Sequence, residues 1–342
     1  MSRETGPADH EPGADGGPLS SGNHWAADQR EWPGGLSPSQ REQPRYAWPP
    51  ADPLTGEQPD AQARDIPLDS HLHTDQSPDA DVPIDAYAAL ALERNIPELA
   101  ITDHVDFAPG APAYGFVAFR DRERVVREAA ERWAPLGVQI RFGVEITYDS
   151  RYEDDIRDSL RTRQYDFAIG SVHVYKDSPY AKPNVAAWVD GKRLADIMAP
   201  YFAEVTAAAR SGLFDTIGHM DFVKRNLVPF VQPAQLTAAP ELYEPVLRAM
   251  IEAGTALEMN TSGLRQQAKE TYPNPTVVAL FRAMGGQRVT AGSDAHRADW
   301  LAWGLEEGYR ILADNGFEEL LFRRGPGQGP VKVAIPARFR QR

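Results

Sequence analysis

Seven short apolar runs, rich in β-branched residues, recur along most of this chain, and amphipathic stretches lie between them. The runs are IPLDSH (66–71), PELAITDH (97–104), VQIRFGVEI (138–146), YDFAIGSVH (165–173), FDTIGH (214–219), TALEMN (255–260) and RVTAGSD (288–294). Helical spacing of apolar residues marks IDAYAALALERN, FRDRERVVREAAERW, GKRLADIMAPYFAEVTAAARS, PELYEPVLRAMIEAG and PTVVALFRAMGG. Gly254 and Gly285 stand where two of these helices should stop. A strand, a returning helix and a further strand pair in parallel. Seven such units predict an α/β protein built as a closed or nearly closed (β/α) barrel. Two separate α/β domains are the alternative, because periodicity does not reveal strand order.

The first 65 residues follow a different rule. They hold 8 glycines and 10 prolines, with no period that could bury a face, so residues 1–65 are expected to be a disordered extension and 66–342 the folded domain. Trp25, Trp32 and Trp48 are unusual in such a composition and could dock a partner; incidental placement is the alternative. The chain has 36 basic and 49 acidic residues, a formal charge of −13, which argues against a nucleic-acid binder. It contains no cysteine, so disulfides, thiolate metal sites and cysteine nucleophiles are excluded and any metal must be held by nitrogen and oxygen. No apolar run of transmembrane length and no signal-like start is present, so a cytoplasmic location and no membrane partner are expected.

The histidines then become informative. Of eight, only His10 and His24 lie in the extension; the other six fall in DSHLHTD, AITDH, AIGSVH, TIGHMD and AGSDAH, each closing an apolar run. In a parallel barrel those positions share the C-terminal rim, where chemistry is placed. His71 and His73 are two apart and face the same side of a strand, as do Asp294 and His296. Glu145 adds a carboxylate after the third run.

Taken in order, DSHLHTD, AITDH, RFGVEI, AIGSVH, TIGHMD, MNTSGLR and AGSDAH resemble the polymerase and histidinol phosphatase (PHP) superfamily, and within it the histidinol-phosphatase branch, over about residues 66 to 336. The resemblance implies a distorted seven-stranded TIM-like barrel with two to three divalent ions, zinc, manganese or iron. It implies a first ion on His71, His73, Glu145 and Asp294, a second bridged by Glu145 and held by His173 and His219, and a third on Asp79, His104 and His296. Some members have histidine where this chain has Asp79, and a helix cap is the other reading of that residue.

Ions bridged in this way are expected to ionise a water for attack on a phosphate monoester, so no side chain serves as nucleophile. Asp103 is either the acid that protonates the leaving group or a residue that orients a ligating imidazole. Arg265 is the first choice for binding phosphate, with Lys176, Lys224 and Arg297 as further candidates, and Asn260 a rim hydrogen-bonding residue. Asp106 and Asp177 could meet a substrate ammonium group. The expected reaction is hydrolysis of L-histidinol phosphate to L-histidinol and phosphate. Another small phosphate ester, a C–N bond in the manner of amidohydrolases, and a non-catalytic metal-binding module are the alternatives.

Overall fold

The structure, a computed structural model, describes residues 64–173, 185–228 and 230–340. The expected extension, including its three tryptophans, and two of the site candidates, Lys176 and Asp177, lie outside the described residues.

The strands are β1 (Asp69–Leu72), β2 (Glu98–Ile101), β3 (His104–Val105), β4 (Gln139–Thr147), β5 (Phe167–Ser171), β6 (Thr216–Ile217), β7 (Ala256–Asn260), β8 (Val289–Gly292), β9 (Glu319–Phe322) and β10 (Val331–Ala334). The first eight form a parallel sheet in the order β1-β2-β4-β5-β6-β7-β8, with β3 also paired to β4. Strands β2 and β3 keep one register on β4, Ile101 opposite Phe142 and His104 opposite Glu145, so they are a single strand interrupted at Thr102–Asp103. Seven strands therefore form one sheet, and the two-domain alternative falls away.

The sheet nearly closes. Strands β8 and β1 share no ladder along their length, but at the rim Asp294 N–H donates to His71 O and His73 N–H to Ala295 O, each at 2.9 Å. A helix crossover returns the chain between most strands. The helices are α1 (Ile84–Glu93), α2 (Phe119–Trp133), α3 (Glu153–Thr162), α4 (Val185–Val189), α5 (Leu194–Ser211), α6 (Lys224–Leu227), α7 (Pro233–Thr237), α8 (Pro240–Ala253), α9 (Ser262–Arg265), α10 (Pro275–Ala283) and α11 (Leu305–Asp314). Gly254 caps α8 with φ 71°, and Gly285, φ 98°, follows the end of α10, so both glycines act as expected.

Strands covered on both faces have no polar side to alternate with. Phe167–Ser171 and Ala256–Asn260 are accordingly buried at every position. Each fully buried aliphatic or aromatic side chain in such a core contributes about 1.5–3 kcal/mol. Elements that were not expected include α3, α11 and the antiparallel hairpin of β9 and β10. After β9, Arg323 pairs with Asp215 and Arg324 with Glu98, tying this end of the chain to residues beside β6 and on β2. Among the described residues no helix is long and apolar enough to cross a membrane.

Candidate metal centre

Every parallel strand ends on the same rim, and the rim gathers the expected ligands. The groups able to hold an ion are His73 with Asp79, His104 and His296; His71 with His219 and Asp294; His71 with His73 and Glu145; and His104 with Glu145 and His173. Among the described residues they comprise the nine that the sequence singled out for metal, and no other.

Glu145, near the end of β4 and fully buried, stands at the centre. Its Oε1 lies 3.2 Å from His173 Nε2 and 2.9 Å from His219 Nε2. Its Oε2 lies 3.3 Å from both His71 Nε2 and His73 Nε2, and 2.9 Å from His104 Nδ1. Asp294 Oδ1 is 3.7 Å from His71 Nε2 and 3.4 Å from His73 Nε2. Asp79 Oδ2 lies 3.3 Å from His104 Nε2 and 3.1 Å from His296 Nε2. Asp79 is no helix cap, since the residue capping α1 is Pro83. The two carboxylate oxygens of Glu145 thus face different sets of imidazoles, which is the geometry a bridging ligand requires.

The imidazoles are held from behind. His71 Nδ1 meets Glu258 Oε1 at 2.6 Å, His296 Nδ1 meets the Asp294 carbonyl at 3.0 Å, and His173 Nδ1 meets Thr147 Oγ1 at 3.0 Å. His73 Nδ1 meets Ser77 Oγ at 3.2 Å, and that hydroxyl donates to Asp103 Oδ1 at 3.0 Å. A carboxylate or carbonyl only accepts, so the Nδ1 of His71 and of His296 carries a proton and Nε2 is the atom left to ligate an ion once its own proton is expelled.

The donor set fits divalent cations. Glu145 Oε2 and Asp79 Oδ1 are buried and make no hydrogen bond, although imidazole nitrogens surround Glu145 Oε2 at 2.9–3.3 Å. Atoms that crowd together without hydrogen-bond geometry point toward common centres between them. Nitrogen and oxygen donors of this kind suit zinc, iron or manganese. The charges agree with this. Burial opposes it, but His173, His71 and His104 hold Glu145 well below the usual carboxylate range. Asp79 and Asp294 are likewise held low against their burial by facing imidazoles. Burial pulls His71 down, yet Glu258, Glu145 and Asp294 together keep it well above an ordinary imidazole. Against the same burial, Asp79 and Glu145 raise His104, chiefly Glu145 raises His219, and chiefly Asp79 raises His296. The side chains of Glu145, His71 and His73 have no exposure, whereas those of Asp79 and His296 are 16% and 19% exposed, so the centre opens to solvent on that side.

Several other candidates take different places from those expected. Asp103 accepts from Thr74 N–H (2.6 Å), Thr74 Oγ (2.9 Å) and Ser77 Oγ, which in turn meets His73, the arrangement of the second of its two expected readings, a residue that orients a ligating imidazole. Lys224 is no phosphate ligand, because its ammonium is buried between Asp221 (2.7 Å) and Glu270 (2.6 Å). Arg297 lies on the surface, its side chain 61% exposed and paired with Asp299. Arg265 is buried; it donates to the carbonyls of Ser293 (2.8 Å) and Asp294 (2.6 Å) and stacks 4.6 Å over Trp300. It thereby braces Asp294, whose φ of 55° lies in the left-handed region that costs a non-glycine residue energy. Burial brings its pKa down to about 10, so it keeps its charge at neutral pH. Asn260 bonds to Glu258, Asp294 and Ser262 within the rim, as expected of a hydrogen-bonding residue. Asp106 accepts from Ala113 N–H at 2.8 Å through one oxygen, while the other is buried without a hydrogen bond.

Two residues were missed. Glu258 is one; its signal was an ionisable residue inside an apolar strand, two before Asn260 and so on the same face. Arg225 is the other. Its guanidinium lies 5.6 Å over the Phe222 ring, which itself packs 4.7 Å from His219 and 5.5 Å from His173, and it has no hydrogen-bonded or ionic partner among the described residues.

A parallel barrel with imidazoles and carboxylates converging on its C-terminal rim defines a protein whose site could hold metal. The PHP domain profile matches residues 69–262, and the chain belongs to that family. It is 29% identical over 257 residues to a probable histidinol-phosphatase of Deinococcus radiodurans, covering 75% of this chain and 96% of that one. A histidinol-phosphatase of Lactococcus lactis is 24% identical over 268 residues, covering 74% of this chain and 93% of the relative. In fold the chain resembles the histidinol phosphate phosphatase of Lactococcus lactis solved with zinc, L-histidinol and phosphate. The TM-score is 0.64 at 22% identity, over 78% of this chain and 99% of that one.

Proposed function

We propose that this protein is a cytoplasmic, metal-dependent phosphomonoesterase that hydrolyses L-histidinol phosphate to L-histidinol and phosphate. The observation that carries the reading is the placing of Glu145, one buried carboxylate with imidazoles on both of its oxygens, in a chain similar along most of its length to proteins named histidinol-phosphatases. Divalent ions held there, two or three in number, would neutralise charge on the phosphoryl oxygens and acidify water.

The residues of the chain supply the remainder. Glu145, His71, His73 and Asp294 would hold one ion, Glu145, His173 and His219 a second, and Asp79, His104 and His296 a third. Arg225 sets its guanidinium over the Phe222 ring, which packs against His219, and is the residue proposed to bind the phosphate dianion, in place of Arg265 and Lys224. Arg265 supports from below by bracing Asp294. Asp106, buried two residues after His104 and with one oxygen free of hydrogen bonds, is proposed to accept the substrate's ammonium group.

The test is phosphate release by metal-reconstituted protein from a panel of small esters that includes histidinol phosphate, with Glu145→Ala in parallel. Histidinol phosphate should be the preferred ester, the gene should complement a histidine auxotroph, and Glu145→Ala should abolish turnover while the protein remains folded. Strong turnover of a nucleotide or sugar phosphate without complementation would reassign the substrate. Undiminished turnover by Glu145→Ala would remove the bridging role.

A further inference from the structure

Glu258 is fully buried in β7 beneath the metal centre, and it is not itself among the groups that could hold an ion. Its two oxygens serve different ligands. Oε1 accepts from His71 Nδ1 at 2.6 Å, while Oε2 accepts from the backbone N–H of His219 at 2.7 Å and from Asn260 Nδ2 at 3.1 Å. His71 reaches the cluster beside Glu145 Oε2, at 3.3 Å, and His219 beside Glu145 Oε1, at 2.9 Å. One carboxylate therefore holds a ligand on each side of the bridging residue. A glycine makes space for it: a Cβ on Gly292 would lie 2.9 Å from Oε1.

We propose that Glu258 is a positioning residue that couples two ion-binding positions by fixing the tautomer of His71 and the placement of His219. This rests on the polynuclear reading above. An ionised carboxylate has only acceptor sites, so it requires the His71 proton on Nδ1 and leaves Nε2 as the ligand atom. Glu258→Gln keeps the shape and removes that requirement. With the amide NH2 toward His71, the imidazole must accept at Nδ1 and place its proton on Nε2, where it blocks coordination. With the NH2 toward His219, it faces a backbone N–H and neither group can accept. Each orientation disturbs one ligand and leaves the other its acceptor, so Glu258→Gln acts on one ion position, whereas Glu258→Leu removes both acceptors at once.

The experiment loads the full-length protein with zinc and measures the affinity of each ion by competition with a chelator, for wild type, Glu258→Leu and Thr147→Val. The last variant removes the Nδ1 partner of His173 alone. Loss of such an outer partner costs about 10- to 100-fold in metal affinity. Glu258→Leu should weaken two ions together by about that factor, and Thr147→Val should weaken one. Wild-type affinity in Glu258→Leu, or loss confined to a single ion, would overturn the coupling. Independently of whether the variants fold, 15N shifts of the zinc-loaded wild-type protein should place the His71 proton on Nδ1; a proton on Nε2 would overturn the proposal. Should wild-type protein bind fewer than two ions, it is the polynuclear reading that fails, which separates the two ideas.

Discussion

Gly292 at the end of β8 lies so close to His71 on β1 that a Cβ there would stand 2.3 Å from the His71 Cβ. This contact is where the barrel seam and the metal centre meet, because the backbone bonds closing the sheet, Asp294 to His71 and His73 to Ala295, begin two residues further on. Gly292→Ala should therefore strain the seam and displace a ligand together. Overpacking of this kind costs about 1–3 kcal/mol. Urea denaturation of the metal-free protein measures it, and an unchanged midpoint would mean that β1 and β8 have room to part.

Lys224 and Asp221 form an ion pair with side chains 1% and 0% exposed, held also by Tyr243 and Glu270. Removing one partner strands the other as a buried charge, at a cost of about 3–5 kcal/mol. Lys224→Met should thus lower the unfolding free energy by that order while leaving KM for a phosphate ester unchanged in the protein that folds. Arg225→Met should do the reverse, raising KM with little loss of stability. A raised KM for Lys224→Met at full stability would restore Lys224 as a phosphate ligand.

These two neighbours show where sequence reading reached its limit. Rim histidines are legible because in a parallel barrel an imidazole just past a buried apolar run has one place to go. The six histidines, Glu145 and Asp294 meet for that reason; Asp79 joins them from the loop after β1, and only the resemblance had marked it. Lys224 and Arg225 sit side by side on the four-residue helix α6, too short to show a period, so nothing in the sequence says which of them faces the centre. Glu258 was hidden by the opposite effect: it lies within a strand that reads as core, and only the three-dimensional approach of His71 and His219 gives it a role. Helix α3 was missed because EDDIRDSLRT buries only Ile156 and Ser159, and α11 because LEEGYRILAD carries a glycine in its interior. Arg265 looked like a free rim cation; that its guanidinium is spent on the Ser293 and Asp294 carbonyls depends on contacts across the barrel.

In the metal-free protein, facing carboxylates hold His71 and His104 well above 6.5, and His219 and His296 are raised as well, in each case against their burial. At neutral pH these imidazoles retain protons that ligation must expel. Their protonation stabilises the metal-free fold fully below about pH 6.5, their unfolded value, and that contribution is lost as pH rises through the folded values. Adding metal at pH 7 should release more than one proton per protein, read by calorimetry in buffers of differing ionisation enthalpy. Binding with no proton release would contradict the assigned pairing.

Asp69 lies at the foot of the same rim, fully buried, where burial raises its pKa from 3.8 to about 6 against the hydrogen bonds from Ser293, Ala302 and His71. A carboxyl raised on folding adds stability below its unfolded pKa and loses it as pH climbs through the folded one. Between about pH 4 and pH 6 this group alone should remove about 3 kcal/mol from the unfolding free energy. Denaturation of the metal-free protein across that window, compared with Asp69→Asn, isolates the effect. A stability difference between the two proteins that does not vary with pH would show that Asp69 is ionised throughout.

The central claim is that Glu145 bridges ions held from opposite sides of the barrel. Anomalous diffraction from a metal-loaded crystal tests it most directly. The account predicts at least two peaks about 3.5–4 Å apart, one on each oxygen of Glu145, with His71, His73 and Asp294 around the first and His173 and His219 around the second. A single peak, or peaks that leave the Glu145 carboxylate uncoordinated, would contradict it.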